Sequence, residues 1–125
     1  MKDLTIIIPQ ASGAVPELWG SLGEARINVE AAISFAREHH RVVHVVVEDD
    51  VADQAKEVLG TGGYMVVDVR DVILVPVEDR PGALAEVTRM AENAGAEVYM
   101  LAVGTGNRVL LAAVNLDAAR QAFGM

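Results

Sequence analysis

Residues 77–87 read VEDRPGALAEV. Four of them, Asp79, Arg80, Pro81 and Gly82, are costly to place inside regular structure, yet they suit the point where a strand gives way to a helix. Asp79 can cap the helix, Pro81 suits its first turn, and Gly82 lets the backbone approach another group closely. Amides at a helix N-terminus point outward and favour an anion such as a carboxylate. A plain capped helix start, with no ligand at all, explains the same residues, because such caps are common.

Other residues invite chemistry with less support. His39, His40 and His44 lie within one short stretch. The first two fall at a predicted hairpin turn and the third inside VVHVVV, so the three need not converge. Zinc sites usually need three or four convergent ligands, often thiolates, and the chain has no cysteine. No metal site and no cofactor is expected. Glu48, Asp49, Asp50 and Asp53 form an acidic run whose spacing lacks the glycine and distal glutamate of a calcium loop, and a solvated helix N-terminus explains it. Ser12, Ser21 and Ser34 lie in no nucleophile motif, and GTGNR has no following helix to hold a phosphate. Trp19 reads as core or interface. The expectation is a protein that is not an enzyme.

The elements that must position these residues form a repeat. Thr5-Ile6-Ile7-Ile8 reads as a buried strand. Val15, Leu18, Leu22 and Ala25 recur at helical spacing, with Pro16 in the first turn. Val29–Phe35 and Val42–Val47 read as strands, Asp53–Leu59 as a helix ended by GTGG, and Tyr64–Val69 as a fourth strand. The second half runs likewise. A strand at Val72–Val77 leads to a helix face of Leu84, Val87, Ala91 and Ala94, with Gly95 as its C-terminal stop. Strands at Val98–Val103 and Val109–Val114 flank the turn GTGN, and Asp117–Phe123 is a short helix. Adding 69 to a first-half position places Gly13 on Gly82, Ala14 on Ala83, Glu17 on Glu86, Ala25 on Ala94 and Val29 on Val98. The predicted fold is α+β: a tandem βαββαβ repeat, residues 1–70 and 71–125, each unit an antiparallel sheet with its helices on one face. The second unit lacks its last strand, which leaves Val72–Val77 as an open, apolar edge, and at least a homodimer is expected to cover it.

Composition narrows the partners. A net charge of −8 and only 4% aromatic residues argue against nucleic acid, which needs clustered Lys and Arg or stacking platforms. The apolar stretch of MKDLTIIIPQ is too short for a signal peptide, and no run approaches membrane-spanning length. A cytoplasmic protein with no membrane partner is the expectation.

VPVEDRPGALAEV followed by AENAGAEVYML resembles the ACT domain, a regulatory module of amino-acid metabolism. The likeness covers residues 72–123 well and residues 4–70 more loosely, through ARINVEAA. Together the halves resemble small stand-alone proteins made of two ferredoxin-like ACT units. The resemblance implies a small-molecule sensor that holds an amino acid at a unit–unit or chain–chain interface. It also leaves an alternative, a structural module that docks on an enzyme or transporter without a ligand. In the family, the strand-to-helix loop and a polar residue at the start of the second strand contact the ligand. Carried over, these are Asp79, Arg80, Gly82, Ala83 and Leu84 with Glu97 in the second unit, and Gln10 and Gly13 with Asn28 in the first. The amides of Ala83 and Leu84 would face a carboxylate. Asp79 with Glu97 is acidic at both positions. That departs from the amide pair of the serine-binding pattern in phosphoglycerate dehydrogenase and suits a cationic group. The first loop departs too, with Ser12 where the family has proline.

Overall fold

The computed structural model describes residues 1–10, 13–104 and 106–125. The readings on Ser12, and on Thr105 within GTGN, lie outside these residues. The chain divides into two compact units, Met1–Arg70 and Asp71–Met125.

In the first unit β1 (Lys2–Pro9), α1 (Ala14–Glu24), β2 (Ala31–Ala36), β3 (His40–Val47), α2 (Ala52–Thr61) and β4 (Met65–Asp71) follow one another. A single 3-10 turn, Asp49–Val51, leads into α2. The second unit continues with β5 (Ile73–Pro76), α3 (Ala83–Asn93), β6 (Val98–Gly104), β7 (Arg108–Ala113) and α4 (Leu116–Ala122). The sheet orders are β2-β3-β1-β4 and β5-β7-β6. Among the described residues the second order is the first without an outer strand, and β5 lies at its edge. Tyr64 to Val77 runs almost continuously extended, interrupted at Val72 between β4 and β5.

Period-two burial decides which sheet face the helices cover. Leu4, Ile6 and Ile8 of β1 alternate into one core with Val43, Val45 and Val47 of β3, beneath Leu18 and Leu22 of α1 and Ala55 and Leu59 of α2. Ile73 and Val75 join Val109, Leu111 and Ala113 beneath Val87 and Ala91 of α3 and Ala119 of α4. Each sheet thus carries its two helices on one face. Burying each of these large aliphatic side chains is worth about 1.5–3 kcal/mol.

The helices of the two units keep the 69-residue spacing at both ends: α1 and α3 each have 11 residues and begin after Gly13 and Gly82. Those glycines lie at φ 86 and φ 90. The amide of Glu17 donates to Gly13 O at 3.2 Å, and that of Glu86 to Gly82 O at 3.1 Å. Gly95, at φ 82, stops α3, whereas the equivalent position of the first unit holds Arg26 at φ 59.

Three local expectations need correction. Gly82 itself occupies the N-cap of α3, with no side-chain cap, so Asp79 does not cap the helix. Pro81 therefore precedes the helix rather than opening its first turn. α2 absorbs Gly60 and Thr61, and the left-handed Gly63, at φ 85, breaks it instead. No helix among the described residues is long and apolar enough to cross a membrane.

Candidate functional site

The loop from Val77 to Gly82 is built by its own backbone and by a neighbouring hairpin. Val77 N–H donates to Asn107 O at 2.8 Å, which ties the end of β5 to the turn between β6 and β7. Arg80 N–H donates to Glu78 O at 3.0 Å, and Ala83 N–H to Arg80 O at 3.2 Å. The loop is therefore closed before any ligand arrives, and Pro81 removes a further degree of freedom. Asp79, Pro81, Gly82 and Leu84 line a shallow cleft of about 300 Å³ whose far wall is Val103 and Asn107. Leu84 and Val103 are 42% and 65% exposed, so the cleft offers unspent apolar surface beside the charged side chains of Glu78, Asp79 and Arg80.

Arg80 is held by two carboxylates. Its Nε donates to Glu78 Oε2 at 2.8 Å and its Nη2 to Glu86 Oε2 at 2.5 Å. The hydrogen bond from Arg80, reinforced by its charge, holds the Glu86 carboxyl below the usual range. Bonds to Glu86 and then Glu78 raise the guanidinium in turn. Arg80 also lines the cleft, and these bonds clamp the loop to the first turn of α3. Ala83 is corrected, because its amide is already engaged by Arg80 O. Of the two amides assigned to a carboxylate, only that of Leu84 lies beyond this turn.

Glu97 is not part of the cleft. It sits exposed at φ 56 just before β6, and its carbonyl accepts from Val114 N–H at 3.0 Å. Pro76 is level with Arg108, and Val98 with Ala113. Five residues of β7 separate the two levels, about 17 Å at the rise of a strand. Asp79 and Glu97 of one unit therefore stand at opposite ends of their sheet. The first unit repeats this. Gln10 is exposed where Pro9 meets His40, whereas Asn28 precedes Ala31, which meets Val46. Six residues of β3 lie between, about 20 Å, and Asn28 Nδ2 donates to Glu30 Oε1 at 2.8 Å. Each helix carries the chain back along its sheet, so the next strand starts at the far end. Neither pair converges within a unit.

The three histidines do not gather either. His44 lies on the sheet face away from the helices, where its Nδ1 is 2.9 Å from Asp3 Oδ2 and 3.3 Å from Thr5 Oγ1. Among the described residues no group of three His, Asp or Glu side chains is placed to hold a metal ion. Asp3, 4% exposed, is the buried charge that the sequence reading missed. The signal was there, since Asp3 and Thr5 share a strand face and Thr5 is in register with His44. Trp19 packs against the first core, as expected of it.

No protein-family model and no curated protein sequence matches the chain. Solved structures do. Protein BT0572 from Bacteroides thetaiotaomicron aligns over 98% of this chain and 85% of its own length, at 23% identity and a TM-score of 0.85. The regulatory subunit of aspartate kinase from Thermus thermophilus, in a ligand-free form, aligns over 98% and 91%, at 22% identity and a TM-score of 0.72. The equivalent subunit from Thermus flavus aligns over 98% and 92%, at 22% identity and a TM-score of 0.66. At these identities the likeness establishes the fold: this chain has the tandem α+β fold of regulatory, ACT-type domains.

Proposed function

We propose that the chain is a regulatory protein that responds to a small molecule, with an amino acid as the ligand class, bound at an interface between ACT units. The observation that carries this reading is the loop at Gly82. A left-handed glycine leaves open space where a side chain would stand, beside a cleft that holds a free apolar wall and the Asp79 carboxylate. A ligand amine suits Asp79, the Leu84 amide suits a ligand carboxylate, and Leu84 with Val103 suits an aliphatic part. Glu97 joins such a site only from a second copy, because its own unit holds it at the opposite end of the sheet. In an isologous two-fold interface a contact of Asp79 with Glu97 of the second copy is made twice, once in each direction. Gln10, Gly13 and Asn28 are the corresponding residues of the first unit, with amides in place of carboxylates. The two similar Thermus structures are regulatory subunits of aspartate kinase, which supports the regulatory part of the reading.

A thermal-shift screen against the standard amino acids tests this. A specific ligand raises Tm with concentration by mass action. Asp79→Asn and Glu97→Gln, both exposed and close to isosteric, should keep the unliganded Tm and lose most of the shift. Silence across the whole set sinks the reading. A shift that both variants retain moves the site elsewhere.

A further inference from the structure

β4 ends the first unit's four-stranded sheet on the side away from β2, and among the described residues no strand lies beyond it. Its side chains alternate between two faces. Val66 turns toward the first core, whereas Met65, Val67 and Val69 stand exposed on the opposite face. Asp68 and Arg70 follow on the face of Val66, and Arg70 Nε donates to Asp68 Oδ2 at 2.5 Å. A strand that ends a sheet is a template for pairing, and like charges along it discourage two copies from joining. Between Met65 and Arg70, β4 carries instead one charge of each sign among three exposed apolar side chains.

Those signs select a register. Two copies of one strand pair antiparallel about a two-fold axis normal to the sheet. The axis passes between a residue and its own copy, because residues directly opposite point to the same face. With the axis at Val69, Asp68 lies opposite Arg70 of the second copy, and Arg70 opposite its Asp68. Four charges then alternate around the axis on one face, and Val69 meets its own copy on the other. An axis at Asp68 or at Arg70 sets like charges face to face, which is destabilising. An axis at Val67 aligns Met65 with Val69, but it sets each Asp68 against Val66, with no cation opposite. Desolvating an unpaired carboxylate beside the core costs more than one further apolar contact returns.

We propose that β4 is a self-pairing surface, through which two copies of this chain join their first-unit sheets into one continuous sheet with the axis at Val69. Backbone pairing of the two edges supplies affinity. Val69 is covered by its own copy, and Val67 reaches the copy's Val69 on the diagonal. The two Asp68–Arg70 pairs hold this register against its neighbours. The surface lies in the first unit, apart from the Gly82 cleft, and it needs no ligand. The Gly82 site calls for a second copy on other grounds, so the test reads this surface directly rather than the mass alone.

The chain has no cysteine, so one introduced thiol reports on one position. At the axis the two Cα atoms lie about 4.5–5.5 Å apart, within disulfide reach. The full chain carrying Val69→Cys should therefore give a covalent dimer under mild oxidation, read on a non-reducing gel. Val67→Cys should not, because the two copies of position 67 stand four residues out of register, about 13 Å along the strand. Adding Asp68→Arg or Arg70→Asp to Val69→Cys should slow crosslinking by at least about tenfold. Both exchanges together should restore it, since the signs then alternate again. Unchanged circular dichroism separates lost pairing from lost folding. Crosslinking at Val67 as fast as at Val69 overturns the proposal. So does the absence of a Val69→Cys dimer at roughly 100 μM chain, or a double exchange as slow as the single ones, which would leave the two charges as ordinary edge protection.

Discussion

Gly82 and its counterpart Gly13 carry the residue-scale argument. A side chain at Gly82 would meet nothing within 4 Å, so the position is not crowded. Its requirement for glycine comes from the backbone, at φ 90 and ψ −8. An L-residue held there is strained by about 1–2 kcal/mol. Gly82→Ala should therefore lower stability by that amount in urea titration, with the slope of the transition unchanged. A neutral result would show that the loop relaxes. The same reasoning makes Gly82→Val a poor test of ligand binding, because strain and blockade would fall together. Arg80 contrasts with this. Its two ion pairs are exposed, and exposed pairs contribute little to stability. Its value lies in holding the loop against α3.

Comparison of equivalent elements shows where the first unit has diverged. α1 and α3 share length, starting glycine and spacing, but Gly20 and Gly23 of α1 stand where α3 has Arg89 and Glu92. Glycine inside a helix costs roughly 0.5–1 kcal/mol relative to alanine. A side chain at either position would meet nothing within 4 Å, so no close approach by the described residues requires these glycines. Gly20→Ala should stabilise the protein by about 0.5–1 kcal/mol, read as a higher denaturation midpoint. A loss of stability instead would reveal a close contact at Gly20, such as one made by a second copy.

For the whole molecule the site proposed at Gly82 decides the expected assembly. That site needs Glu97 from a second copy, because one unit holds Asp79 and Glu97 at opposite ends of its sheet. A homodimer is the expectation, and light scattering at micromolar concentration should return twice the mass of the chain. A monomer would remove Glu97 from the site.

Local rules carried much of this protein's architecture. Alternation in LTIIIP and VVHVVV, and helical spacing in Leu84, Val87 and Ala91, depend only on neighbours along the chain, so strands, helices and the 69-residue repeat were legible in sequence. Gly13 and Gly82 were legible too, because a left-handed turn before a helix restricts residue type directly. Long-range geometry decided the rest. Asp79 and Glu97 are 18 residues apart, but a helix returns the chain along the sheet, and so they finish at opposite ends. Arg80 looked free until the first turn of α3 brought Glu86 to it. Tyr64 read as the start of a strand, and only packing against the first core brought its hydroxyl to Ala14 O at the start of α1. Periodicity is a property of neighbours, whereas convergence depends on where distant segments come to rest.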